Sequence, residues 1–181
     1  GSLIDLAYPF VVLLQHPVSN EPDAATQLEQ TMIALTGLSL PVLAFWPGEE
    51  SGAEASSKVL RQLKENYLGN HAWHFVRSAH PARFYRLLCQ CVCLVGNSSV
   101  GVREAGALGT PVVNIGTRQT GRVRAANVLD VGHEVEDIRQ AIQAQRRHGR
   151  YEPSALYGDG QAGLRVALWL QEIVHGSSVQ Q

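Results

Sequence analysis

The stretch that decides the fold runs from residue 92 to residue 115 and reads VCLVGNSSVGVREAGALGTPVVNI. Its two ends, 92–95 and 111–115, are short apolar runs of the kind that predict buried strands. Between them, residues 98–108 predict a short helix that ends at Gly109. A strand, a helix and a second strand at this spacing predict a βαβ unit with parallel strands and a right-handed crossover.

The same alternation continues on both sides of this unit. Further strands are predicted at 10–15 (FVVLLQ), 41–46 (PVLAFW), 73–76 and 127–131, and further helices from Pro22 to Gly37 and at 53–67, 81–90, 135–147 and 161–174. This order predicts an α/β fold with a Rossmann-like, doubly wound parallel sheet. Such sheets bind ligands beyond the carboxyl ends of their strands, so the loops after residues 15, 46, 76, 95 and 115 are candidate site loops.

Length and composition indicate one globular domain without a strong overall charge. The chain has 181 residues, of which 45% are hydrophobic and 17% charged, and 15 basic residues stand against 16 acidic ones. A formal charge of −1 gives no overall field that would attract nucleic acid or an anionic membrane, so any anion site must be local. We expect residues 1–2 to be a tag remnant, residues 3–175 to form the Rossmann-like domain and residues 176–181 to be a disordered tail.

The cysteines and the apolar runs bear on the cellular compartment. Cys89, Cys91 and Cys93 are the three cysteines of the chain, an odd and crowded set that does not suit a disulfide framework. Cys91 and Cys93 are expected to face the same side of a strand, and no second cluster supplies further ligands, so we expect structural cysteines and no metal. Because the apolar runs are too short to cross a bilayer and no charged leader opens the chain, a soluble cytoplasmic protein is expected.

The turn between the strand at 92–95 and the helix at 98–108 is a candidate phosphate site. The N–H groups at a helix start attract anions, two serine hydroxyls can donate hydrogen bonds, and Gly96 and Gly101 let the backbone approach a ligand. The alternative is an ordinary N-cap serine and turn glycine, which any such fold can contain. Glu104 lies about a turn and a half into the helix, where it could accept hydrogen bonds from a ribose or simply remain an exposed charge.

Three segments together resemble the UDP-N-acetylglucosamine 2-epimerases. They are GNSSVGVREAGALGTPVVNIGTRQTGR at 96–122, HPVSNE at 16–21 and YGDG at 157–160. The resemblance is nearest to the hydrolysing branch, which releases UDP and N-acetylmannosamine, a precursor of sialic acids. It follows the C-terminal half of that family, and so implies the UDP-binding domain of a two-domain fold of the glycosyltransferase-B kind, with an N-terminal Rossmann-like domain missing.

The resemblance also implies roles for residues around the proposed phosphate corner. The diphosphate would be held by the four residues of the turn, Gly96, Asn97, Ser98 and Ser99. Glu104 would hold the ribose hydroxyls. The loop with Arg118, Gln119 and Arg122 would lie in the cleft, where the two arginines would contact the diphosphate or organise the domain interface.

Further implied residues lie after the first and third strands. His16 would stand near the departing phosphate, where an imidazole can donate a hydrogen bond or relay a proton, although a histidine before Pro17 could also simply end a strand. Ser19 and Glu21 of the same loop would support the sugar or the diphosphate. The uracil ring would lie against the loop formed by Arg77, Ser78 and Ala79.

The reaction implied by the resemblance is an anti elimination of UDP followed by addition of water. Its acid and base groups lie chiefly in the N-terminal domain, so this chain is expected to bind UDP or UDP-N-acetylglucosamine without turnover and to need no cofactor. Two alternatives stay open: the donor-binding half of a glycosyltransferase-B enzyme, against which HPVSNE and GTRQTGR weigh, and a non-catalytic nucleotide-sugar sensing domain. The apolar face of the last helix would meet the missing domain or drive formation of a homodimer.

Overall fold

A single parallel sheet forms the centre of the structure, a computed structural model that describes residues 8–18, 23–46, 53–66 and 73–176. Its strands are β1 (Val11–Leu14), β2 (Val42–Phe45), β3 (Trp73–Val76), β4 (Cys93–Gly96), β5 (Val112–Ile115) and β6 (Val128–Val131). They lie in the order β3-β2-β1-β4-β5-β6, and every neighbouring pair is parallel. The strand order reverses between β1 and β4, which confirms the predicted doubly wound α/β fold.

Helices cover both faces of this sheet. They are α1 (Ala24–Thr36), α2 (Ala53–Asn66), α3 (Pro81–Gln90), α4 (Ser99–Val102), α5 (Glu104–Ala107), α6 (Val135–His148) and α7 (Ala162–Gly176). Met32 of α1, Leu60 of α2 and Ile138 of α6 pack in one buried cluster, while Leu88 of α3 and Ala105 of α5 pack in another. Because successive residues of a strand point to opposite faces, each strand contributes to both clusters.

The prediction of one helix over residues 98–108 is wrong. The structure has two short helices, α4 and α5, which meet at Arg103, where the backbone angles are φ −96° and ψ −69°. Gly101 and Gly106 make this segment a weak helix former. A Cβ atom on Gly101 would lie 2.9 Å from Cγ1 of Val112, so the glycine lets α4 pack closely on β5. A helix this short leaves anion binding to individual N–H groups and side chains rather than to a long aligned dipole.

The last helix, α7, makes no part of either buried cluster. Its residues 162–174 are all exposed, and seven of them are large and apolar: Leu164, Val166, Leu168, Trp169, Leu170, Ile173 and Val174. Just before this helix, the Oδ1 of Asp159 accepts a hydrogen bond from the Gln161 N–H at 3.0 Å. The Arg165 guanidinium beside Asp159 lowers the pKa of that carboxyl. Among the described residues, no helix combines the length and apolarity needed to cross a membrane.

The expectation that Cys91 and Cys93 share one side of a strand is also wrong. Cys91 is the C-cap of α3, and its Sγ donates to the Leu88 carbonyl at 3.5 Å, whereas Cys93 begins β4. The two side chains therefore lie in different clusters on opposite faces of the sheet. Burial raises the pKa of the Cys91 thiol to about 12 and that of Cys93 well above its ordinary value, while Cys89 is exposed.

The first testable prediction concerns these thiols. In the native protein at neutral pH, iodoacetamide will modify Cys89 and spare Cys91 and Cys93, because only an accessible thiolate reacts readily. After unfolding in guanidinium chloride all three cysteines will react, and mass spectrometry counts the adducts in each state. Modification of Cys91 or Cys93 before unfolding would contradict the burial described above.

The close approach of β1 and β4 depends on Gly96. This residue has φ +133°, a conformation that side-chain-bearing residues rarely adopt. A Cβ atom here would lie 2.1 Å from the Leu14 carbonyl oxygen and 2.5 Å from its carbonyl carbon. Neither obstacle can be relieved by a change of rotamer, because both arise from the backbone.

Gly96→Ala is therefore expected to lower the free energy of unfolding by about 2 kcal/mol or more, from backbone strain plus the contact with Leu14. Gly132→Ala is the matched control, since a Cβ atom there would meet nothing within 4 Å. We expect the control to change stability by no more than about 0.5 kcal/mol. Urea unfolding followed by circular dichroism measures both, and equal stability of the two variants would show that Gly96 is not required.

Candidate functional site

Three loops meet where the strand order reverses, at the carboxyl ends of β1, β4 and β5. The loop after β1 begins with Gln15 and His16, the corner after β4 contains Asn97 and Ser98, and residues 116–127 connect β5 to β6. The sequence predicts ligand-binding residues in each of these loops. The structure connects all three through one residue, Asn97.

The side chain of Asn97 joins the corner after β4 to the end of β1. Its Oδ1 accepts a hydrogen bond from the His16 N–H at 2.7 Å, and its Nδ2 donates to the His16 carbonyl oxygen at 2.8 Å. Asn97 is 1% exposed, so this pair of bonds is shielded from water. The Asn97 amide thus binds both the N–H and the carbonyl oxygen of His16. A contact between Asn97 and a diphosphate stays a prediction.

The backbone carbonyl of Asn97 connects the corner to the loop after β5. It accepts hydrogen bonds from Nε2 of Gln119 at 2.7 Å and from Nη1 of Arg118 at 3.4 Å. The guanidinium of Arg118 and the imidazole-bearing residue His16 are therefore both anchored on Asn97. This places two of the predicted site residues at the same corner, as the topology requires.

Ser98 and Ser99 follow directly at the start of α4. Ser98 occupies the N-cap position with φ −69° and ψ 144°, yet its side chain makes no capping hydrogen bond. Its backbone carbonyl accepts from the Gly101 N–H at 3.0 Å, and that of Ser99 accepts from the Arg103 N–H at 2.9 Å. The alternative that Ser98 serves as an ordinary N-cap hydroxyl does not apply here, although the residue lies at the expected corner.

Glu104 is the first residue of α5, five residues after Ser99. Its Oε1 lies 3.9 Å from Nη2 of Arg103, at the limit of an ion pair, and its Oε2 is buried without a hydrogen-bond partner. Gln15 and Gln119 each also have a buried side-chain oxygen without a partner. Buried acceptors are normally satisfied in native proteins, and exceptions of this kind are common at functional sites.

Two arginines of the loop after β5 have different surroundings. Arg122 is exposed, and its backbone carbonyl accepts a hydrogen bond from Nη1 of Arg124. Arg124, which the sequence analysis does not single out, pairs with Asp130 through a 3.0 Å bond from Nε to Oδ2. No local sequence pattern predicts this ion pair, because it depends on how the loop folds back beside β6.

The predicted uracil loop lies farther along the sheet. Arg77 and Ser78 are exposed after β3, and Ala79 packs in the same cluster as Val100 of α4. Three strand spacings, roughly 14 Å, separate β3 from β4. Arg77 and Ser78 therefore lie at the same edge of the sheet as the corner after β4 but not in contact with it. Ser19 and Glu21 lie outside the described residues. Within the described ranges, no group of three or more His, Cys, Asp or Glu side chains could hold a metal ion.

Comparison with known proteins shows the family of this chain. A family model described as UDP-N-acetylglucosamine 2-epimerase matches residues 4–171. A curated relative, the hydrolyzing UDP-N,N'-diacetylbacillosamine 2-epimerase of Legionella pneumophila, is 27% identical over 163 residues, which are 90% of this chain and 42% of that protein.

Two solved structures share the fold. The UDP-GlcNAc 2-epimerase of Methanocaldococcus jannaschii superposes with a TM-score of 0.71 at 16% identity, covering 93% of this chain and 46% of that one. The Neisseria meningitidis enzyme bound to UDP-GlcNAc gives a TM-score of 0.70 at 17% identity, with 93% and 46% covered. This chain thus spans less than half the length of these relatives. Because the family model covers nearly the whole of it, the chain belongs to the UDP-N-acetylglucosamine 2-epimerase family.

Proposed function

We propose that this chain is the C-terminal, UDP-binding half of a hydrolysing 2-epimerase that converts UDP-N-acetylglucosamine to UDP and N-acetylmannosamine. Residues 3–175 would be the UDP-binding domain. Family membership supports the class of reaction, and the printed name of the Legionella relative supports the hydrolysing type. The coverage of 42–46% of the relatives is consistent with one half of a two-domain enzyme of the glycosyltransferase-B kind.

The single observation that carries this proposal is the convergence on Asn97. Its side chain holds the His16 backbone, and its carbonyl holds Gln119 and Arg118, so three loops form one corner at the switch point. The hydroxyl of Ser98 lies at this corner without acting as a helix cap. The Ser98 hydroxyl and the Arg118 guanidinium are groups that can donate hydrogen bonds to a diphosphate. The Asn97 groups instead bind the neighbouring loops and hold the corner in place.

In the proposed complex, hydroxyl and backbone donors of Ser98 and Ser99 bind the diphosphate, with Gly96 giving the backbone room. Arg118 and Arg122 neutralise its charge, since guanidinium groups suit phosphate oxygens. A chain with net charge −1 needs such a local concentration of positive charge to hold an anion. The proposed binding mode uses no metal ion and no cofactor.

The nucleoside would extend from this corner across the carboxyl ends of the neighbouring strands. The unpartnered Oε2 of Glu104 would accept hydrogen bonds from the ribose hydroxyls. The uracil ring would lie against Arg77, Ser78 and Ala79, where backbone groups could read its edge. Ala79 and Val100 share one buried cluster, which supports a continuous surface between the base loop and the phosphate corner.

These residues would assist an anti elimination of UDP that is followed by addition of water. The C2 proton is removed while the C1–O bond to UDP breaks, and the electron pair of the C–H bond forms the C1=C2 double bond of a glycal. Water then adds a hydroxyl at C1, and a proton returns to C2 on the opposite face. Ser98, Arg118 and His16 would stabilise the charge that develops on the departing diphosphate, which lowers the barrier of the first step.

The base for the C2 proton would come from the other half of the enzyme. The exposed apolar residues of α7, including Leu168, Trp169 and Leu170, form a surface that would pack against that half. A homodimer through the same surface is the alternative, since contiguous apolar patches usually mark interfaces. The free thiols of Cys89, Cys91 and Cys93 favour a reducing compartment, and we place the enzyme in the cytoplasm.

The first prediction of this proposal concerns affinity. Calorimetric titration of the purified chain will show tighter binding of UDP than of UMP or ADP. Ser98→Ala and Glu104→Ala will each weaken UDP binding by about 1–3 kcal/mol, the loss expected for hydrogen bonds that involve charged groups.

Two exposed residues away from the corner provide matched controls for these substitutions. Ser39 precedes β2, at the edge of the sheet opposite the corner, and Glu136 is on α6. The control substitutions are Ser39→Ala and Glu136→Ala. Both should leave the UDP affinity unchanged. Equal affinity for UDP, UMP and ADP, or unchanged affinity in both test variants, would contradict the proposed site.

The second prediction concerns turnover. The chain of 181 residues will bind UDP-N-acetylglucosamine and release no N-acetylmannosamine above background in an assay by mass spectrometry, because the base lies elsewhere. Restoring the remaining half will produce turnover. Release of sugar by the chain alone would overturn this division of labour.

The same assay with the restored protein decides between two substrates. The name of the Legionella relative makes UDP-N,N'-diacetylbacillosamine a second candidate. The substrate with the higher kcat/KM is the physiological class. Binding without turnover by the restored protein would instead favour a sensing domain, and sugar transfer to an acceptor would favour a glycosyltransferase.

A further inference from the structure

Gln119 is a buried polar side chain in a part of the loop after β5, residues 117–123, that is mostly exposed. Its neighbours Thr117 and Thr120 are exposed, whereas Gln119 is 1% exposed and points into the corner after β4. There its Nε2 donates to the Asn97 carbonyl oxygen at 2.7 Å. A loop side chain that gives up its hydration for one backbone hydrogen bond fixes the position of that backbone.

Arg124 fixes the backbone of Gln119 in turn. Its Nη1 donates to the Gln119 carbonyl oxygen at 2.7 Å, and its Nε donates to Oδ2 of Asp130 at 3.0 Å. Asp130 lies on β6 and also accepts a hydrogen bond from Nδ2 of Asn114 on β5, at 2.6 Å. The loop is thereby braced on two strands of the sheet through one carboxylate.

The planarity of the peptide group converts this brace into a constraint on Ser98. In a trans peptide the C=O and N–H bonds point in opposite directions, and no peptide in the described chain is cis. When the Gln119 amide holds the Asn97 carbonyl, the N–H of Ser98 must point away from that amide. The direction of this donor is therefore set by a residue 21 positions along the chain.

We propose that Gln119 and Arg124 are positioning residues for the UDP site, a role that rests on the function proposed above. Gln119 orients the peptide between Asn97 and Ser98 so that its N–H faces the diphosphate. Arg124, anchored on Asp130, holds the loop so that Gln119 reaches Asn97 and Arg118 lies beside the same corner. Neither residue touches the ligand, and both act through Asn97 and Ser98.

The test compares two buried glutamines by the same substitution. Gln119→Met removes the amide at similar side-chain volume. Gln145→Met is the matched control, because Gln145 is 0% exposed and its Nε2 donates to the backbone carbonyls of Val112 at 2.7 Å and Asn127 at 3.0 Å. Val112 is the first residue of β5, and Asn127 directly precedes β6. Both carbonyls therefore lie at the amino ends of the strands, the edge of the sheet opposite the site.

Both variants are expected to lower the thermal unfolding midpoint, but only Gln119→Met should weaken UDP binding, by about tenfold in Kd. Gln145→Met should keep the UDP affinity within about twofold of the unchanged chain, as expected for a residue distant from the site. A Gln119→Met protein that is folded and binds UDP as tightly as Gln145→Met would overturn the proposal. A purely structural role would affect the two affinities equally.

Coupling to Ser98 is the second readout. The backbone that carries the Ser98 N–H also positions the Ser98 hydroxyl, so a turned peptide would misplace both donors. The variant carrying both Gln119→Met and Ser98→Ala should therefore lose less affinity than the product of the two single losses. Independent losses that multiply would show that Gln119 does not act through this corner. Should Gln119→Met fail to fold, Arg124→Gln decides: weaker UDP binding at an unchanged unfolding midpoint supports the brace, and unchanged binding overturns it.

Failure of the underlying function is distinguishable in the same experiment. If the unchanged chain does not bind UDP, or Ser98→Ala has no effect, the proposed function and the positioning role both fall. If Ser98→Ala weakens binding while Gln119→Met and Arg124→Gln do not, the UDP site stands and only the positioning role is wrong.

Discussion

The candidate site depends on two hydrogen bonds between the Asn97 side chain and the His16 backbone, which join the chain at the ends of β1 and β4. They lie where β1 and β4 have ended, so no further ladder bond can pair the His16 N–H and carbonyl, which still need partners. A carboxamide donates and accepts like a peptide group, so asparagine continues the pairing for one more residue. Gly96 makes this possible, because any Cβ there would collide with Leu14. At the switch point the chain segments after β1 and β4 are therefore packed closely together, and polar groups surround the point where they meet.

The strands could be predicted from the sequence because each is a continuous apolar run between turn residues. FVVLLQ and PVLAFW identify β1 and β2 to within about one residue at either end, since burial on both faces leaves no other pattern. The helix over 98–108 could not be predicted as it is. The close packing of Gly101 on Val112 and the break at Arg103 are tertiary effects, which a local pattern does not contain.

The local motif predicts which residue types form the candidate site, but it does not predict which residues bind to one another. Asn97 and His16 are separated by 81 residues, and Gln119 and Asn97 by 22. Which polar group meets which depends on the strand order, and a local pattern contains no information about the distance between two loops. Arg124 shows the same limit, since its role follows from Asp130 on the edge strand.

The stereochemistry of the proposed reaction explains why a corner of this kind would serve as half of an active site. In an anti elimination the C2–H and C1–O bonds point to opposite faces of the sugar, so the base and the groups that receive the diphosphate must approach from opposite sides. One rigid wall built on the carboxyl edge of a sheet can supply only the second set. The described chain offers hydroxyl, guanidinium and backbone donors at that edge, which match the departing anion. In the proposed enzyme the other half would cover the opposite side of the sugar, and burial of the apolar surface of α7 would hold the two halves together.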